Sequence, residues 1–146
     1  MRSFVTLAAM FLMLGADDPQ EAAKKEMTKL QGEWSMVAGE KDGRTAPRSF
    51  IQGAKRVCKD DDLTVTVDNR VYMKAKIVID PTKNPKAIEY MVTEGDHKGK
   101  TLLGIYELEG DTVKFCFAPP DTERPTDFRA GKGSGRTYSV WKRSSK

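Results

Sequence analysis

The feature that most restricts this chain is a period of two in its apolar residues, repeated in short segments most of which are joined by connections too short for a crossover helix. Trp34, Met36 and Ala38 alternate with Ser35 and Val37, and Leu63, Val65 and Val67 alternate with Thr64 and Thr66. Val71, Met73, Ala75, Ile77 and Ile79 alternate with Tyr72, Lys74 and Lys76. The pattern resumes at Ile88, Tyr90 and Val92, at Leu102 to Leu108, at Val113, Phe115 and Phe117, and at Tyr138 to Arg143. Such alternation marks strands with one buried face. With Ala54 to Cys58 there are eight segments.

The joints set the topology. Asp68-Asn69 and Glu109-Gly110-Asp111 are short enough only for antiparallel hairpins. Parallel neighbours would need connections of a dozen residues or more, so the expected sheet is an antiparallel meander. A meander of one-faced strands can close on itself and so remove its exposed edges. The expected fold is all-β: an eight-stranded antiparallel barrel over residues 32–146, whose interior is filled by side chains or holds one small ligand. At 146 residues the chain has room for one such domain.

Two segments precede the barrel. Met1-Arg2-Ser3 carries a positive charge, Phe4 to Leu14 is apolar apart from Thr6, and Leu14-Gly15-Ala16 supplies small residues before Asp17-Asp18-Pro19. That order is the one a secretory signal peptide has, expected over 1–16. The apolar run is shorter than the ~20 residues needed to cross a bilayer, which makes an uncleaved membrane anchor the weaker alternative, and no membrane span is expected after removal of the signal. The expected location is exported, periplasmic or extracellular. Without Arg2 the charge is 24 basic against 21 acidic residues, or +3. Residues 17–31 read as a helix with Asp18-Pro19 at its start, an apolar stripe of Ala23, Met27 and Leu30, and Gly32 after its end. In an oxidising compartment Cys58 and Cys116 either pair or remain two buried thiols, and their spacing does not decide which.

Several residues then carry a resemblance. Gly32-Glu33-Trp34 on the first strand and Arg143 on the last are similar to the pair that closes one end of a lipocalin-type barrel, an arginine over a tryptophan ring. Leu30 to Trp34, the turn Asp80 to Lys86, Gly104 to Asp111 and Glu123 to Phe128 together resemble an uncharacterised lipocalin-like domain family abundant in planctomycete bacteria. The resemblance covers nearly all of the mature chain and implies a lipocalin-like fold in an exported or modular setting, with no established biochemical role. The mature chain is shorter than a typical ligand-carrying lipocalin, which bears on the size of any central cavity.

Catalytic and metal chemistry find little support. His97, the one histidine, lies in the polar stretch Glu94 to Gly99, where a solvated turn is expected rather than a positioned base. One histidine and two distant cysteines do not make a zinc site, and Asp60-Asp61-Asp62 lacks the spacing of a calcium loop. Gly131 to Arg136 precedes a strand rather than opening a helix, so it reads as a connector and not as a phosphate-binding loop. The basic balance comes from interspersed lysines without a basic stripe, so no nucleic acid is expected. Neither an enzyme, a metal nor a cofactor is expected.

Two classes of function remain. In the first, the barrel binds a small apolar or amphipathic molecule, with Met73, Tyr90, Tyr106 and Phe115 as interior lining. In the second, the barrel is filled and serves as a structural or protein-interaction module of the cell envelope. Arg124, in Arg124-Pro125-Thr126-Asp127-Phe128, either pairs with Asp127 to latch its loop across the barrel mouth, with Phe128 tucked inside, or meets an anionic ligand.

Overall fold

A computed structural model describes residues 18–144. The expected signal segment, 1–16, lies outside them. The strands are β1 (Gly32–Lys41), β2 (Arg44–Thr45), β3 (Ala54–Lys59), β4 (Asp62–Val67), β5 (Arg70–Asp80), β6 (Lys86–Glu94), β7 (Thr101–Glu109), β8 (Thr112–Phe117) and β9 (Thr137–Arg143). Helix α1 (Pro19–Leu30) precedes them, and a six-residue helix α2 (Arg48–Gly53) lies between β2 and β3. Every pairing is antiparallel, and β9 returns to β1, so β1 and β3 to β9 form a closed eight-stranded barrel with β2 attached outside to β1. The expected all-β, eight-stranded antiparallel barrel with a short N-terminal helix is therefore the observed fold. Among the described residues no helix is long and apolar enough to cross a membrane.

The turns work as their chemistry requires. Asp68 and Asn69 both hold positive φ, 51° and 64°, the two-residue geometry that follows the twist of a β4–β5 hairpin. Gly110, at φ 56°, does the equivalent between β7 and β8. The alternating residues that face inward, among them Leu63, Ala75, Ile77, Ile88, Val92, Val113 and Phe115, form one buried cluster.

The end of the barrel at Trp34 is sealed. Trp34 is wholly buried, its Nε1 donates to the Leu30 carbonyl at 3.1 Å, and the Arg143 guanidinium lies 4.2 Å from its ring centre. Arg143 also donates through Nη1 to the Gln31 carbonyl and through Nη2 to the Lys29 carbonyl, both at 2.7 Å. One cation thus covers the ring and satisfies carbonyls at the negative end of α1. The helix starts as expected, with Asp18 accepting from the Gln20 amide and Pro19 in the first turn. Its stripe of Ala23, Met27 and Leu30 packs on the floor of the core. Gln31 bonds both to the Asp60 amide and to the Asp60 carbonyl, tying the helix end to the β3–β4 turn.

The opposite end is built differently. Strand β3 begins only at Ala54, opposite the middle of β1, and α2 lies where the wall is missing. Phe50 of α2 meets Tyr72 of β5 edge to face at 5.3 Å, and the Asp68 amide donates to the Gly53 carbonyl. None of the six residues of α2 is fully buried.

Replacing Arg143 with Ala removes the cation over Trp34 and two bonds to helix carbonyls. We expect a loss of about 2–3 kcal/mol of stability, measured by urea unfolding, with α1 the first element to lose amide-exchange protection.

Candidate functional site

The inward positions of β3 are Ala54, Arg56 and Cys58, and all three are buried. An arginine in this phase is unusual, since a strand whose neighbours turn Val65, Ala75 and Phe115 to the same interior offers a guanidinium no water. Arg56 is 2% exposed. Its Nη1 donates to the Tyr90 hydroxyl, and its guanidinium lies 4.1 Å from the centre of the Phe115 ring and 5.6 Å from that of Tyr90. Nε and Nη2 are buried without any hydrogen-bond partner. Among the described residues no carboxylate forms an ion pair with Arg56; those that form salt bridges are all held by other cations. Contact with two aromatic faces offsets part of the desolvation cost, by about 2 kcal/mol, while an unpaired buried ion costs several.

An aromatic layer surrounds this group. The Tyr90 ring lies 4.2 Å from Phe117 and 6.5 Å from Phe115. Burial pushes the Tyr90 hydroxyl above its ordinary range, against the lowering effect of Arg56. Cys58, one inward position further down β3, has its thiol pushed up by burial, opposed by Arg56 and by the hydrogen bond from Gln31.

Of the residues expected to line the interior, Met73, Tyr90, Tyr106 and Phe115 all belong to or pack on the interior cluster. They divide by height. Tyr90 and Phe115 stand around Arg56, and Met73 is half-buried towards the α2 end, next to the Gly95 turn. Tyr106 lies on the floor under α1, where its hydroxyl donates to Glu26 at 3.3 Å. Glu26 is itself buried and receives the Lys86 ammonium at 2.6 Å. Burial, and then the Glu26 carboxylate, drive the Tyr106 hydroxyl strongly upward.

Arg124 does not join them. It lies on the outer wall, where Nη1 donates to the carbonyls of Ile88 and Gly104 at 2.7 Å and Nη2 pairs with Glu89 at 2.9 Å. The expected Arg124–Asp127 pair is not formed: Asp127 accepts from the Arg129 amide and meets Arg136 at 3.4 Å. The reason is reach. Pro125 is buried against the barrel wall and holds Arg124 over the β6–β7 ladder, while Asp127 turns back along its own loop. Phe128 is half-buried and belongs to that loop, not to the interior. Arg124 is a latch, but onto the outside of the barrel and not across its mouth. Beside it runs a groove of about 430 Å³ lined by Asp80, Lys83, Glu89, Arg124, Pro125 and Thr126.

The cysteines are both buried and free. Cys58 faces the interior and Cys116 faces out, beneath the β8–β9 loop, with its thiol 3.8 Å from the Arg129 carbonyl. His97 is exposed on the β6–β7 turn. Asp61 and Asp62 are paired with Lys76, and no cluster of potential metal ligands occurs among the described residues.

Sequence reasoning placed Ala54 to Cys58 on a strand but gave Arg56 no role. The signal was there: Arg56 shares the parity of Ala54 and Cys58, and so was bound to point where they point. Helix α2 was also missed, being too short for an apolar stripe, although Pro47 and Gly53 bracket it.

No family model, no curated protein and no solved structure matches this chain.

Two predictions follow from the chemistry of these groups. Arg124→Ala leaves two strand carbonyls and Glu89 without their donor; because the ion pair is part-exposed, most of the expected 1–2 kcal/mol loss, roughly, comes from the carbonyl bonds, and it should appear as a lowered melting temperature. The thiols of Cys58 and Cys116 and the hydroxyls of Tyr90 and Tyr106 all hold their protons more tightly folded than unfolded. The unfolded chain therefore releases protons first, and stability should fall as pH rises past about 9, where an unfolded thiol ionises, and further past about 10 for tyrosine. Urea midpoints between pH 7 and 10.5 measure this; a midpoint that rises over that span contradicts it.

Proposed function

We propose that this chain is an exported, non-enzymatic, lipocalin-like barrel that takes a small apolar or amphipathic molecule into its interior through the end covered by α2. The observation that carries this reading is the inequality of the two ends. At one end Trp34, Leu30 and Val113 are at most 1% exposed and Arg143 is bonded across them. At the other, Met36, Phe50, Val67 and Met73 pack on the core yet remain half-buried, under a six-residue helix with no side-chain cap. Short elements with few buried contacts open at low free energy. Methionine adapts its shape to what it touches, which suits an entrance. Export is supported by the charge, apolar run and small residues of positions 1–16. The similarity of Gly32 to Trp34 and of Arg143 to a lipocalin-type closure supports the same class.

A second reading, a filled barrel acting as an interaction module of the envelope, has the aromatic layer in its favour, since Tyr90, Phe115 and Phe117 occupy the middle of the interior.

Nile red, a neutral apolar dye, separates the two. The binding reading expects saturable fluorescence enhancement, and faster association when Phe50→Ala removes the contact that holds α2 to Tyr72. Absence of dye binding, together with a bare polypeptide mass in native mass spectrometry of protein from its own host, overturns it in favour of the filled module.

A further inference from the structure

Arg56 carries more than a place in the lining. Its two free nitrogens, Nε and Nη2, are not scattered over the guanidinium. They form one edge of the fork, with two parallel N–H bonds pointing the same way, while the opposite nitrogen, Nη1, is committed to Tyr90. An edge of that shape matches the two oxygens of a carboxylate, and bidentate pairing is the strongest way to satisfy it. Nothing in the described protein offers those oxygens: the carboxylates of the barrel interior and floor are represented by Glu26, which is held by Lys86, Lys29 and Tyr106. The guanidinium is held in place from its other sides, by the Tyr90 hydroxyl and the Phe115 face, so the free edge is fixed before any ligand arrives.

We propose that Arg56 is the anchor for the carboxylate of an amphipathic ligand, whose apolar part extends from Arg56 past Phe117 and Met73 towards α2. This rests on the interior-binding reading above and specifies its ligand class. The head group enters first and is desolvated against a pre-placed fork, and the tail stays among Val92, Leu102 and the half-buried methionines, which are apolar. A neutral molecule of the same length would leave Nε and Nη2 buried and unpaired, and so would be discriminated against by the site itself.

The test uses the mature chain with decanoate and decan-1-ol as probes, by titration calorimetry at neutral pH. The expected result is that decanoate binds roughly tenfold or more tightly than decanol, and that Arg56→Met reduces decanoate to the affinity of decanol while leaving decanol unchanged or improved. Arg56→Met should melt no lower than the parent, because it removes an unpaired buried charge; an arginine retained only for packing would make it melt lower. If that variant fails to fold, Arg56→Lys keeps the charge and removes the fork, and should bind decanoate more weakly with the preference over decanol reduced. Equal binding of the two probes, or a preference that survives loss of Arg56, overturns the carboxylate anchor and leaves interior binding standing. Failure of both probes, with Nile red also unbound, overturns interior binding itself.

Discussion

The structure depends on the pairing of its first barrel strand with its last. Trp34 lies opposite Arg143 in the β1–β9 register, so the hydrogen bonds that close the cylinder also bring the cation to the ring and to the final carbonyls of α1. Closure, floor and helix docking share Trp34 and Arg143. Without it β1 and β9 would be open edges of a twisted sheet, and α1, whose apolar stripe is only Ala23, Met27 and Leu30, would have too narrow a face to hold its position.

With the floor fixed, the rest of the interior divides into a tightly sealed lower part and a looser upper part, and Arg56 stands between them. A buried guanidinium with only one of its three nitrogens hydrogen-bonded lowers the stability of the barrel that contains it. Such a group is tolerable here because the closed β-ladders carry the fold.

Most of the fold was legible because its information is local. Alternation at Leu63–Val67 and Val113–Phe117 marks strands, Asp68-Asn69 marks a hairpin, and the Trp34 and Arg143 pair marks closure. What escaped depends on distance in space. Arg124 and Asp127 are close in sequence, yet a buried proline between them sends one to the β6–β7 ladder and leaves the other on its loop. The fate of Cys58 and Cys116 turned on parity within β3 and β8, which sets one thiol inside the wall and the other outside. That Met73, Tyr90, Tyr106 and Phe115 turn to the interior was legible from strand phase, while the charged group among them was passed over because an arginine in a strand ordinarily faces water. Only the assembled barrel shows that this one has none.

The placement of α1 and β9 has a geometric result. The helix covers the Trp34 floor and β9 ends at Arg143 on the same floor, so both extremities of the folded body emerge on one side. A tether joined to either extremity would hold the molecule like a bucket stood on its base, rim outward, with α2 turned to whatever solution or surface lies opposite the attachment.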